Sequence, residues 1–107
     1  MLSGDQFAAV LKSRERTRSA HFSLYWRGSS AAVSRFGLVL PKKLARTSVR
    51  RNLIKRQSGM LFRVWSAERQ ASLGFDVVLK LSATVAGLDR RAQFGELSGL
   101  MQALPRA

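Results

Sequence analysis

A single α+β domain spanning residues 1–107, with its elements in the order α-β-β-α-β-α, is the fold the sequence predicts. Three observations predict it. Apolar and polar side chains alternate over residues 21–27, and a second short apolar run occupies 35–40, both at strand length. The longest amphipathic stretch in the chain follows, from Ser48 to about Arg69, and has the period of a helix. A further apolar run at 75–81 then completes a strand–helix–strand unit, which requires a crossover connection and hence a parallel pair of strands. A chain of 107 residues also matches the size of one hydrophobic core, roughly 100 to 200 residues.

Taken in order, Ser3 is a capping candidate for a first helix over residues 3–12, in which Phe7, Val10 and Leu11 recur at i, i+3 and i+4. Residues 12–20 are polar and basic and read as a loop. The strand at 21–27 places Phe22, Leu24 and Trp26 on a core face and Ser23, Tyr25 and Arg27 on the other. Gly28, Ser29 and Ser30 break it, and Pro41 stops the strand at 35–40, so these two strands are expected to pair antiparallel. Thr47 and Ser48 are suitable caps for the long helix. On a helical wheel, Val49, Leu53, Ile54, Met60, Leu61, Val64 and Trp65 share a broad apolar arc expected to face the sheet. Arg51, Asn52, Lys55, Arg56, Gly59, Phe62 and Arg63 fall on the opposite side. Gly74 precedes the strand at 75–81, which is apolar enough to be central. A last helix over 89–104 carries Phe94, Leu97, Leu100, Met101 and Leu104 at helical spacing and is closed by Pro105.

Charge narrows the function. Nineteen Lys and Arg against six Asp and Glu give +13, an excess suited to a polyanion such as nucleic acid. Its distribution is more telling than its size. Residues 16–67 hold twelve Lys and Arg and not one carboxylate, whereas a merely solvated surface would mix both signs. With no Cys, disulfides and thiolate metal sites are excluded. No run of signal-peptide or membrane-span length occurs, so a soluble, cytoplasmic protein is expected. The six acids are scattered and His21 is the only histidine, which argues against clustered metal ligands or a His pair for acid–base cleavage.

Within the long helix, Arg51, Asn52, Lys55 and Arg56 form a compact cationic patch. Arg forks can grip phosphate oxygens, and Asn can donate and accept at a base edge or a 2′-hydroxyl. Lys42, Lys43, Arg46, Arg50 and Arg63 extend the patch along the same region. A solvated helical face would carry Glu partners at i, i+4, and here there are none. A second surface is suggested by Tyr25 beside Arg27, bordered by Phe7 and Leu11; aromatic groups next to Arg suit a single strand. Phe7 and Leu11 also satisfy a plain core role, which their spacing alone favours.

Arg51-Asn52-x-x-Lys55-Arg56 running on to Phe62-Arg63 is similar to the basic motif of the bacterial ribonuclease P protein subunits. Pro41-Lys42-Lys43-Leu44 resembles that family's strand end with its Lys pair, while Asp5-x-Phe7-x-x-Val10-Leu11 and Phe22-x-Leu24-Tyr25 resemble its first helix and first strand. The resemblance covers nearly the whole chain. It implies an α/β sandwich with a left-handed βαβ crossover around the basic helix, against the usual right-handed rule. It further implies a non-catalytic subunit assisting a catalytic RNA that removes the 5′ leader of precursor tRNA, with Mg²⁺ at the RNA's active site. Carried over, Lys42, Lys43, Arg46, Arg50, Arg51, Asn52, Lys55, Arg56 and Arg63 would hold ribonuclease P RNA. Phe7, Leu11, Tyr25 and Arg27 would line a cleft for the leader. The expected partners are the RNA subunit and precursor tRNA, with no membrane and no obligate protein partner. This chain departs from the family pattern at Leu53, where a second Arg is usual, at Gly59 and Met60, and at Leu11, where Phe is common. Charge alone would equally allow a general RNA-binding or ribosome-associated protein without a nuclease role.

Overall fold

The computed structural model describes residues 4–29, 34–68 and 74–105. Its elements are α1 (Gly4–Leu11), β1 (Arg16–Arg18), β2 (Phe22–Gly28), β3 (Arg35–Val39), α2 (Ser48–Glu68), β4 (Phe75–Leu81) and α3 (Arg90–Met101). The order is therefore α-β-β-β-α-β-α. The expected loop over 12–20 contains a three-residue strand that sequence reading passed over, and Ser3 and Arg69 lie outside the described residues.

The four strands form one sheet in the order β1-β2-β4-β3. Here the expected pairing of β2 with β3 is corrected. β4 lies between them, antiparallel to β2 and parallel to β3, with Tyr25 and Gly37 both opposite Val78. The reason is burial: β4 has apolar residues on both faces, Val77, Leu79 and Leu81 on one and Val78 on the other, so it gains most from a central position. The parallel β3–α2–β4 unit is as expected.

The sheet is covered on both sides. Phe22, Leu24, Trp26, Val77, Leu79 and Leu81 face α2 and α3 and form the main core with Ile54, Phe62, Trp65, Leu97 and Leu100. Alternate residues point the other way, and there Tyr25 and Val78 pack with Val10 of α1. That is why β2 is buried over five consecutive positions, Phe22 to Trp26, rather than on one face as expected.

The phase of α2 also differs from the wheel. Its buried residues are Ile54, Gln57, Ser58, Phe62 and Trp65, while Val49, Met60 and Val64 are exposed and Leu53 is half-buried. Phe62, placed on the polar side by the wheel, stacks on Phe36 at 4.8 Å between ring centroids and tilts against Trp65 at 5.6 Å. Buried polar side chains account for the rotation. Ser58 donates back to Ile54 O at 2.6 Å, and Gln57 accepts from Gln93 Nε2 of α3 at 2.9 Å. Both thus enter the interior without an unmet hydrogen bond. α3 begins on Asp89, whose side chain accepts from Ala92 N at 2.7 Å.

Candidate nucleic-acid interface

The basic residues of α2 divide into two groups. At the helix start Thr47 Oγ1 accepts from Arg50 N at 3.1 Å, capping the first turn. The two arginines that follow turn inward. Arg50 Nη1 donates to Gln93 Oε1 at 2.9 Å, and the chain continues from Gln93 to Gln57 and from Gln57 Nε2 to Arg90 O at 3.1 Å. Arg51 Nη1 donates to Leu40 O at 2.8 Å and reaches Ala45 O at 3.5 Å, tying the helix to the end of β3. The expectation that Arg51 faces solvent is thereby corrected: its guanidinium satisfies carbonyls that the turn after β3 leaves unpaired.

Beyond this first turn the cations point outward. Asn52, Lys55, Arg56 and Arg63 are exposed, and no ion pair joins them to a carboxylate among the described residues. Lys42, Lys43 and Arg46 are exposed in the connection between β3 and α2. Leu44 N and Ala45 N both donate to Pro41 O, at 3.0 and 3.3 Å, and Val85 N donates to Leu44 O, so this connection is held against the one following β4. Lys43, Arg46, Arg50 and Thr84 line a cavity of about 290 Å³ between the two connections.

The opposite face of the sheet carries the second cluster. Phe7 and Leu11 are half-buried against Val10, Tyr25, Val78 and Val39. Tyr25 is 9% exposed, so it forms a floor and does not stand out from the sheet as expected. Arg27 is exposed at the far end of β2; opposite it in register lies Asp76, already held by Arg35 through two hydrogen bonds of 2.9 and 3.0 Å. The residues that sequence reading missed here are on β1. Arg16 lies opposite Tyr25 and Arg18 opposite Ser23, and with Thr17 these residues enclose a cleft of about 230 Å³. The overlooked signal was Arg16-Thr17-Arg18 itself, a β-branched residue between two like neighbours, which is a period-two pattern too short to stand out.

β1 is held in place at both ends. Trp26 N donates to Glu15 O at 3.0 Å and Ser13 Oγ to Trp26 O at 2.8 Å. At the β1–β2 turn, Ser19 Oγ and the backbone N of His21 both donate to Glu96 of α3, and His21 Nδ1 meets the same carboxylate at 2.7 Å. His21 is therefore a structural clasp. Burial works to raise the Glu96 carboxyl, yet the hydrogen bonds from Ser19 and His21 and the His21 charge outweigh it and hold the group below the ordinary glutamate range. A depressed folded value means the clasp stabilises above the unfolded pKa, about 4.3, and that this stability is lost as pH falls through the lower folded value.

Among the described residues no three His, Asp or Glu side chains gather to hold a metal ion, and no helix is long and apolar enough to cross a membrane. What the arrangement can do is bind a polyanion on two sides of one sheet: a convex ridge on α2 and a shallow cleft over β1 and β2.

The family model for ribonuclease P matches residues 1–104. The ribonuclease P protein component of Ralstonia pickettii is 45% identical over 80 residues, which are 74% of this chain and 54% of that protein. That of Burkholderia pseudomallei is 36% identical over 104 residues, covering 97% of this chain and 71% of the relative. For Azoarcus the figures are 32% over 102 residues, 95% and 82%. The matched stretch thus spans about half the length of the Ralstonia protein and more of the other two. Among solved structures, the ribonuclease P protein of Staphylococcus aureus superposes with a TM-score of 0.80 at 19% identity, over 95% of this chain and 91% of that one. The Thermotoga maritima ribonuclease P protein gives 0.70 at 22%, over 92% and 91%. At these identities the likeness is one of fold.

Proposed function

This chain belongs to the ribonuclease P protein family, and on that premise we propose that it is the protein subunit of a bacterial ribonuclease P and holds two RNAs at once. One is the RNA subunit, which supplies the catalysis and its Mg²⁺; the other is precursor tRNA, gripped by its 5′ leader. The observation that carries this reading is the outward set of Asn52, Lys55, Arg56 and Arg63 on α2, on a chain with no carboxylate from residue 16 to residue 67.

In this reading α2 and the adjoining Lys42, Lys43 and Arg46 meet the phosphates of the RNA subunit. Arg50 and Arg51 hold the helix start and the β3–α2 connection in position and contribute their charge from the second rank. The leader lies across the cleft with Arg16 and Arg18 beside its phosphates and Tyr25, Phe7 and Leu11 beneath its bases. Arg27 extends that track. Such contacts neutralise charge and fix position without breaking a bond, which is what a cofactor to a catalytic RNA must do. The work is done in the cytoplasm and requires no further protein.

The test mixes the protein with Ralstonia pickettii ribonuclease P RNA and a 5′-extended tRNA at low Mg²⁺, leaving out each component in turn. Efficient cleavage at the mature 5′ end only with all three is the expected result. No gain on adding the protein would leave a general RNA-binding role, and cleavage by the protein alone would place the catalyst in the polypeptide.

A further inference from the structure

The three large hydrophobic side chains that stand exposed among the described residues, Val49 at 77%, Met60 at 43% and Val64 at 51%, all belong to α2. With half-buried Leu53 they are spaced by four, seven and four residues, so they form one stripe along the helix, about 22 Å long at 1.5 Å per residue. The cations run beside it. Neutral Asn52 and the cations Arg56 and Arg63 flank the stripe along one edge, and all three are exposed.

We infer that the outer face of α2 is a composite RNA surface, in which unpaired nucleobases of the RNA subunit rest on Leu53, Met60 and Val64 while the neighbouring phosphates meet Arg56 and Arg63. The inference rests on the ribonuclease P reading and says which part of that RNA this helix takes. Charge decides the occupant. A second copy of a +13 chain would bring its own Arg56 and Arg63 against the same residues here, a like-charge contact on a helix whose single carboxylate, Glu68, lies at its far end. A regular RNA duplex presents phosphates and 2′-hydroxyls and keeps its base faces stacked, so it leaves the stripe unsatisfied. Unpaired bases offer an apolar face and a phosphate at one nucleotide's spacing, and the thioether of Met60 packs well on an aromatic ring.

The stripe and the cations separate by salt. Phosphate contacts release counterions and set the slope of log K against log salt; apolar contacts move the line without tilting it. Binding of Ralstonia pickettii ribonuclease P RNA is measured across a potassium chloride series for the wild type, Met60→Gln/Val64→Gln, Met60→Leu and Arg56→Ala. The double variant is expected to bind about tenfold more weakly along a parallel line, Met60→Leu to match the wild type, and Arg56→Ala to flatten the slope by about 0.7 to 0.9. Sedimentation and anionic vesicle binding are run on the same proteins. A double variant that coincides with the wild type on RNA overturns the inference, as does self-association or vesicle binding that the double variant abolishes while RNA binding holds. A wild type that fails to bind this RNA overturns the ribonuclease P reading instead.

Discussion

Phe62 and Met60 are two residues apart on α2 and lie in opposite environments: one ring is stacked on Phe36 in the core, the other side chain is open to solvent. The same division separates Arg51, bonded to Leu40 O, from Arg56, which faces outward. The helix therefore does not sort its residues by polarity. Its inner side contains Gln57 and Ser58, and its outer side contains Val49 and Val64. Residue type alone is a poor guide to function on this helix, and position relative to the sheet is a good one.

Substitutions can break or sharpen that contrast. The largest effect is expected from Phe62→Ala, a loss of about 3 to 5 kcal/mol measured by denaturant unfolding, because it empties space between Phe36 and Trp65. Met60→Ala should cost almost nothing by the same measurement. Equal losses at the two positions would mean the helix is rotated from the orientation described. Arg51→Ala comes next. Removing a charged donor from Leu40 O should cost about 1.5 to 3 kcal/mol, and its RNA affinity should fall mainly where the variant begins to unfold. Gly59→Ala should go the other way. An added Cβ would meet only Arg63 Nη1, at 3.6 Å, so the gain in helix propensity, about 1 kcal/mol, should appear as a higher Tm. A change in stability as small as that of Met60→Ala, within about 0.5 kcal/mol, is expected for Arg56→Ala, whose effect should be confined to RNA binding and its salt dependence.

Much of this was legible in the residues. Alternation located β2, the apolar run located β4, and Asp89 was found where α3 begins. The parallel β3–β4 pair followed from a helix between two strands. Three features were not legible, each for a physical reason. The insertion of β4 between β2 and β3 depends on which strand is apolar on both faces, and a hairpin-length loop between residues 28 and 34 suggested the wrong neighbour. The phase of α2 depends on Gln57 meeting Gln93, a pairing across 36 residues that no local pattern contains. At the candidate site, Lys55, Arg56 and Arg63 stand outward, but Arg50 and Arg51 turn inward, because their acceptors, Gln93 Oε1 of α3 and Leu40 O at the end of β3, come beside them only when the chain folds.

The shortness of β1 has a consequence for how the protein lives at high concentration. A sheet ends in a row of unpaired backbone groups, an invitation to another chain's strand. At the β1 end of the sheet that border is three residues long and two of them are Arg16 and Arg18, so an approaching copy finds little backbone to zip onto and meets a matching pair of positive charges. This border repels its own kind and admits an anion: one pair of arginines both guards the β1 edge against strand addition and leaves it open to a polyphosphate chain.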